Sequence, residues 1–212
     1  MRFEELYTAL REQAYFDYST VALLFHESSP ASLRTALYRF VRDGKLVSLR
    51  RELYAFNAPY ARAELHGALV ANVLYAPSYL SGLWVLGWLG VIPEKVLTYT
   101  SVSPRPARSF ANAWGGFEYR SLKQELFKGY EKRMILGAEV LMARPEKALL
   151  DHWYLEPGEW TAERMQSMRF NPSGISGDTI AELAQAYKTR RIDAALTGWA
   201  SYSREHHEGV AI

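Results

Sequence analysis

The chain has 212 residues, of which 49% are apolar and 23% charged, and its formal net charge is +2. That balance is typical of a soluble globular chain with enough apolar material for one or two domains, and it gives no overall sign of a nucleic-acid partner. The absence of cysteine excludes disulfides, thiolate metal sites and a cysteine nucleophile.

The N-terminus, Met1-Arg2-Phe3-Glu4-Glu5-Leu6, places two acids where a signal peptide needs an apolar run. Phe3, Leu6, Tyr7 and Leu10 recur at helical spacing and predict an amphipathic helix over Arg2 to Ala14. A second, short helix is expected through Val21 to Phe25, capped by Ser19 or Thr20. His26-Glu27-Ser28 reads as a turn. Ser29 is then a suitable N-cap and Pro30 a suitable first helical residue, and Gly44 stands where a helix end favours positive φ.

On a helical wheel, Leu33, Ala36, Leu37, Phe40 and Val41 fall on one side of the third helix, Ala31 to Asp43. The other side carries Ser32, Arg34, Thr35, Tyr38, Arg39 and Arg42, with no acid. Guanidinium groups bond guanine edges or phosphates, and hydroxyl groups suit phosphate. Lys45 to Leu49 and Leu53 to Phe56 then read as two strands joined at Arg50-Arg51-Glu52. From Ser29 to Arg51 there are six cations (Arg34, Arg39, Arg42, Lys45, Arg50 and Arg51) against one acid, Asp43. A basic helix followed at once by a basic hairpin is the layout of a winged helix-turn-helix, and the local excess of positive charge suits a phosphate backbone. The same architecture also serves as a protein docking module.

Asn57-Ala58-Pro59 is the expected boundary, giving domains of 1–58 and 59–212. In the second, Glu64 to Leu74 reads as a helix. Ser81 caps Gly82 to Leu89, an all-round apolar helix expected to be buried. The stretch Tyr79 to Val96 is broken by Gly82, Gly87, Gly90 and Pro93, so it falls short of the about 20 apolar residues a membrane span needs. The expectation is a cytoplasmic protein without membrane contact.

Strands are predicted over Val96 to Val102, from Gly115-Gly116 into Phe117 to Arg120, over Leu122 to Phe127, and over Gly137 to Met142, the last paired with Arg133 to Leu136. Helices are predicted from Pro145 through Asp151, from an Asp178 cap to Lys188, and from Arg190 to Tyr202. Helices, antiparallel strands and again helices predict an α+β domain.

Few residue groups suggest chemistry. Asp17, Asp43, Asp151, Asp178 and Asp193 are the five aspartates, and none has another acid two residues on; a nucleotidyltransferase needs such a pair to hold its metal. No P-loop, dinucleotide-binding glycine pattern, zinc-protease motif or nucleophile elbow occurs. His206-His207-Glu208 reads as a polar tail before it reads as a metal site. Glu146 and Asp151 read as structural before catalytic, Glu146 suiting the positive end of a helix dipole. Lys188, Arg190 and Arg191 read as a solvated helix end. No enzyme, cofactor or metal is expected.

The ordered pattern resembles the abortive-infection AbiE antitoxin family, the antitoxin half of type IV toxin–antitoxin systems. The matching pieces are Leu46 to Ala55, Tyr79-Leu80-Ser81, Thr98-Tyr99-Thr100, Gly116 to Arg120 and, most specific, Met142-Ala143-Arg144-Pro145-Glu146-Lys147-Ala148-Leu149-Leu150-Asp151. The resemblance implies an N-terminal winged helix that binds promoter inverted repeats and represses its own operon. It implies a C-terminal domain that assists binding and counteracts a nucleotidyltransferase toxin without requiring a stable complex. The DNA-binding set is then Ser32, Arg34, Thr35, Tyr38, Arg39, Arg42, Lys45, Arg50 and Arg51. Some look-alikes act as stand-alone regulators. The chain departs from the family at Glu52, where the wing usually has glycine.

Overall fold

The computed structural model describes residues 1–208, with side chains to residue 206. It is an α+β protein. The chain divides into two compact units, one of Met1–Val70 with Leu136–Ala138 and the other of the remainder. Asn57-Ala58-Pro59 forms a turn directly after the first sheet, closed by the Tyr60 and Ala61 amides on the Asn57 carbonyl.

The first unit runs α1 (Phe3–Leu10), β1 (Phe16–Asp17), α2 (Tyr18–Leu24), α3 (Pro30–Arg42), β2 (Leu46–Arg50) and β3 (Leu53–Phe56). Its core gathers Phe3, Leu6 and Leu10 from α1, Val21 from α2, Leu33, Leu37 and Phe40 from α3, and Leu46 and Phe56 from the hairpin. These are the apolar faces that helical spacing and strand alternation select, and burying each large side chain stabilises by about 1.5–3 kcal/mol. α1 ends at Leu10, four residues short of what its periodicity predicts, although Arg11, Glu12, Gln13 and Ala14 are good helix formers.

The caps explain the other ends. α2 is capped by Asp17, not by Ser19 or Thr20: its Oδ1 accepts from the Thr20 amide at 2.8 Å and from the Thr20 hydroxyl at 2.8 Å. The Thr20 amide holds the Asp17 carboxyl below the usual carboxylate range. At α3, Ser29 Oγ accepts from the Ser32 amide at 3.3 Å and Pro30 takes the first turn. The helix stops at Gly44, φ 69°. There the Lys45 amide donates to Phe40 O at 2.9 Å and the Gly44 amide to Val41 O at 3.1 Å, the paired closure that favours glycine.

β2 and β3 are antiparallel, with Leu46 opposite Phe56 and Ser48 opposite Tyr54; the register shifts between Ser48 and Arg50, leaving Leu49 as the extra residue. The two-residue turn Arg51-Glu52 places Glu52 at φ 61°, a conformation a side chain disfavours. β1, which the sequence does not reveal, adds a third strand through Phe16 opposite Tyr54.

The second unit is built on a six-stranded sheet of β4 (Tyr79–Leu80), β5 (Tyr99–Ser103), β6 (Arg108–Asn112), β7 (Gly115–Ser121), β8 (Tyr130–Ile135) and β9 (Ala138–Ala143), in the order β6-β7-β5-β4-β9-β8. The expected antiparallel sheet is corrected to a mixed one. β5 and β7 run parallel, as do β4 and β9, while β4 with β5 and β6 with β7 are antiparallel. The parallel pair arises because β6 turns back on the outside of β7, which leaves β7 beside β5. The predicted strand over Leu122 to Phe127 is a short 3₁₀ turn at Gln124–Leu126. Three exposed polar residues in a row, Lys123 to Glu125, break the alternation a strand needs.

The remaining helices are α4 (Gly67–Leu74), α5 (Gly82–Trp88), α6 (Pro145–Leu155), α7 (Ala162–Ser167), α8 (Gly177–Ala184) and α9 (Arg190–Glu208), of which α5 packs on β5 and on α6. α4 begins in the first unit and continues into the second. α5 is less buried than expected: Val85 and Leu86 are buried, whereas Trp88 is 47% exposed. Ser81 occupies its N-cap position without capping; Thr100 Oγ1 accepts from the Trp84 amide at 3.2 Å instead. α8 is capped by Ser176 rather than Asp178, which lies in its first turn. Trp153, Trp160 and Trp199 are core residues. No helix among the described residues is long and apolar enough to cross a membrane.

Candidate functional site

Exposed cations cluster on α3 and the hairpin that follows it. Leu33, Ala36, Leu37 and Phe40 turn inward. That pins the opposite face outward, and Ser32, Arg34, Thr35, Tyr38, Arg39 and Arg42 are all exposed. Tyr38 is 71% exposed, a large ring held in water by the burial of its neighbours.

The hairpin adds Arg50 and Arg51, both exposed, while Lys45 is half-buried. Lys45 Nζ sits 4.5 Å from the Phe3 ring centroid, so its stem packs on the core. Arg50 Nη1 donates to Arg51 O at 2.9 Å, which folds that side chain back along the turn. Arg39 lies over the Phe40 ring at 5.4 Å. Arg42 makes a long, exposed contact of 3.3 Å with Asp43 at the helix end, of a kind worth about 0–1 kcal/mol.

Arg34 differs from these. Its guanidinium carbon lies 4.4 Å from the Tyr18 ring centroid, and its Nη2 lies 3.5 Å from Glu52 Oε1. Tyr18 and Glu52 are the two residues at this face that the helical pattern of α3 does not reveal. The available signal for Glu52 is an acid in a basic hairpin at a turn position that favours glycine. Tyr18 leaves no comparable signal.

Chemically, this face offers guanidinium forks, hydroxyls and a phenol on a 13-residue helix, about 20 Å long at 1.5 Å per residue. Such a helix fits a B-DNA major groove about 12 Å wide.

The second unit places Glu146 and Asp151 inside. Glu146 Oε1 accepts from the Ser176 amide at 2.9 Å, tying α6 to α8. Asp151 is the hub of a buried network: Ser81 Oγ donates to Oδ2 at 2.7 Å and Tyr79 OH at 3.0 Å, while Tyr187 OH donates to Oδ1 at 2.9 Å. Lys147 Nζ donates to the same Oδ1 and, at 2.6 Å, to Tyr187 OH. Both oxygens of this carboxylate accept hydrogen bonds from side chains of other parts of the unit.

A cleft of about 90 Å³ beside this network is lined by Ser81, Thr100, Ser101, Arg120, Asp151 and His152 among others. Arg120 is committed to Glu156 at 2.8 Å and to Leu155 O at 2.8 Å. Burial pushes His152 down to about 4, so its imidazole is neutral. Ser101 Oγ and His152 Nε2 lack hydrogen-bond partners, and among the described residues no hydrogen bond links serine, histidine and aspartate into a relay. The described residues hold no cluster of three metal-ligating side chains. The side chains of His207 and Glu208 lie outside the described residues, and His206 packs on Tyr202. Arg191 Nη1 donates at 3.1 Å to both Tyr154 O and Glu156 O, a capping role at the end of α6.

No family model and no curated protein matches the chain.

Proposed function

We propose that the first unit is a winged helix-turn-helix that binds double-stranded DNA. α3 enters the major groove and the β2–β3 hairpin lies along the adjacent backbone. The observation that carries this reading is the outward face of α3, exposed along its length and populated by Arg34, Arg39 and Arg42 with two hydroxyl residues and Tyr38. Arg34, Tyr38 and Arg42 sit one turn apart on it, in the spacing by which a helix presents side chains to successive base pairs. Lys45, Arg50 and Arg51 serve as phosphate contacts.

The chain then acts as a cytoplasmic, non-enzymatic autorepressor and type IV antitoxin, with promoter inverted repeats as its DNA partner and a nucleotidyltransferase toxin as its functional partner. Support for the antitoxin half is the resemblance to AbiE antitoxins, above all over Met142 to Asp151. The engagement of Glu146 and Asp151 in structural hydrogen bonds supports the non-enzymatic half.

A second reading, a stand-alone regulator or protein-interaction module, draws on Leu23 at 77% and Leu24 at 47% exposure on α2, apolar surface that DNA does not need. A mobility shift with the duplex upstream of the chain's own reading frame, at physiological salt, separates the two. Retarded DNA supports the repressor, and co-expression with a neighbouring nucleotidyltransferase tests the antitoxin role by rescue of growth.

A further inference from the structure

We propose that Glu52 is a specificity-determining residue: it holds Arg34 as a base reader and keeps that guanidinium from serving as a general phosphate contact. The inference rests on the DNA-binding reading of the first unit.

Two elements, α2 and the hairpin turn, converge on Arg34 of α3. Tyr18, the first residue of α2, lies under the guanidinium at 4.4 Å. Glu52, in the hairpin turn, meets Nη2 at 3.5 Å. The Glu52 carbonyl accepts from the Tyr18 amide at 3.0 Å, so the two flanking residues are also fixed to each other. Glu52 adopts this position at φ 61°, a left-handed conformation that glycine takes freely and a glutamate disfavours. The arrangement therefore places a carboxylate at the tip of a basic hairpin despite a backbone that selects against it.

Two physical consequences follow, and they act in the same direction. The Tyr18 ring 4.4 Å from the guanidinium and the exposed Glu52 carboxylate 3.5 Å from Nη2 bias Arg34 toward one orientation, in which its remaining donors point away from both. That suits the O6/N7 edge of guanine, which needs a fork in a defined plane. A carboxylate beside that fork also repels phosphate, which penalises every duplex that lacks the compensating base contact. Arg42 provides the contrast: its partner Asp43 is the next residue on the same helix end, with no link to the hairpin.

The test uses the full chain and a randomised duplex pool. The preferred duplex is selected with the unaltered protein, and affinities for that duplex and a scrambled one are measured for it and for Glu52→Gln and Glu52→Gly. Glu52→Gln removes the charge and keeps the length; Glu52→Gly also frees the backbone. Both variants are expected to bind the scrambled duplex about threefold to tenfold more tightly, a change of the size expected for removing one like-charge contact, while affinity for the selected duplex changes little. The base position at which Glu52→Gln loses preference is expected to be the same one that Arg34→Ala relaxes. Agreement between the two Glu52 variants assigns the effect to the charge rather than to the turn. An unchanged selected-to-scrambled ratio in both, or relaxed preference at a different position from Arg34→Ala, overturns the proposal and leaves DNA binding standing. Failure of the unaltered chain to bind any duplex overturns both.

Discussion

Lys147 and Asp151, one helical turn apart on α6, form an ion pair with side chains only 1% and 0% exposed. Two opposite charges taken out of water together are tolerable only when their remaining hydrogen bonds are satisfied, and here Tyr79, Ser81 and Tyr187 satisfy them. Removing one partner strands the other. Asp151→Ala is therefore expected to destabilise the chain by about 3–5 kcal/mol, read as a fall in the denaturant midpoint. Lys147→Met with Asp151→Leu, which removes both charges, is expected to cost less than Asp151→Ala alone. A double variant less stable than the single one would contradict the pairing.

His152 gives a pH dependence with a defined sign. Burial pushes it from 6.5 down to about 4, so the folded protein resists protonating it while the unfolded chain accepts a proton readily. The stability is fully present above pH 6.5 and declines as pH falls toward 4, by up to about 3 kcal/mol. Thermal midpoints measured across that window are expected to fall more steeply in the unaltered protein than in His152→Phe. Parallel curves would remove His152 from the account.

Asp17 anchors α2 through the Thr20 amide and hydroxyl. Asp17→Ala is expected to cost about 1 kcal/mol, and Asp17→Asn less. Because its carboxyl is held below the usual range, this contribution is present above the ordinary carboxylate range and is lost as pH falls through the depressed value. Equilibrium unfolding of the first unit at neutral and acidic pH checks the sign.

Within the hairpin, the Arg50→Ala, Arg51→Ala double variant is expected to weaken binding to all duplexes. It should also flatten the slope of log affinity against log salt by roughly 2, about 0.9 for each phosphate that is no longer neutralised. An unaltered slope removes the hairpin from the interface. By contrast, if Arg42 reads a base edge, Arg42→Ala costs about 1–3 kcal/mol at one position of the site and little elsewhere; a uniform weakening across duplexes reassigns it to phosphate.

The first unit is the more legible in the sequence because its signals are local. Ser29, Pro30 and Gly44 mark α3 through contacts within a few residues, and the Leu33 to Phe40 periodicity selects the buried face. The end of α2 facing β1 is less so: Asp17, Ser19 and Thr20 are all competent caps, and only the strand pairing at Phe16 and Asp17 decides among them. In the second unit, β6 carries Arg108, Ser109 and Asn112, an edge strand with too little apolar content to show alternation. The pairing of β5 with β7 depends on residues nearly twenty apart. At the candidate site, the face of α3 follows from its own spacing, whereas the link from Arg34 to Glu52 spans 18 residues and depends on how α3 and the hairpin pack.

The central claim is that the arginine face of α3 grips a duplex. Its most direct test is binding of the full chain to the upstream duplex of its own operon, titrated with salt, beside an Arg34→Ala, Arg39→Ala, Arg42→Ala variant whose unfolding transition confirms that it folds. The account predicts a steep decline of affinity with salt for the unaltered protein and no specific complex for the variant. Equal binding by the two, or none by the unaltered protein at physiological salt, would contradict it.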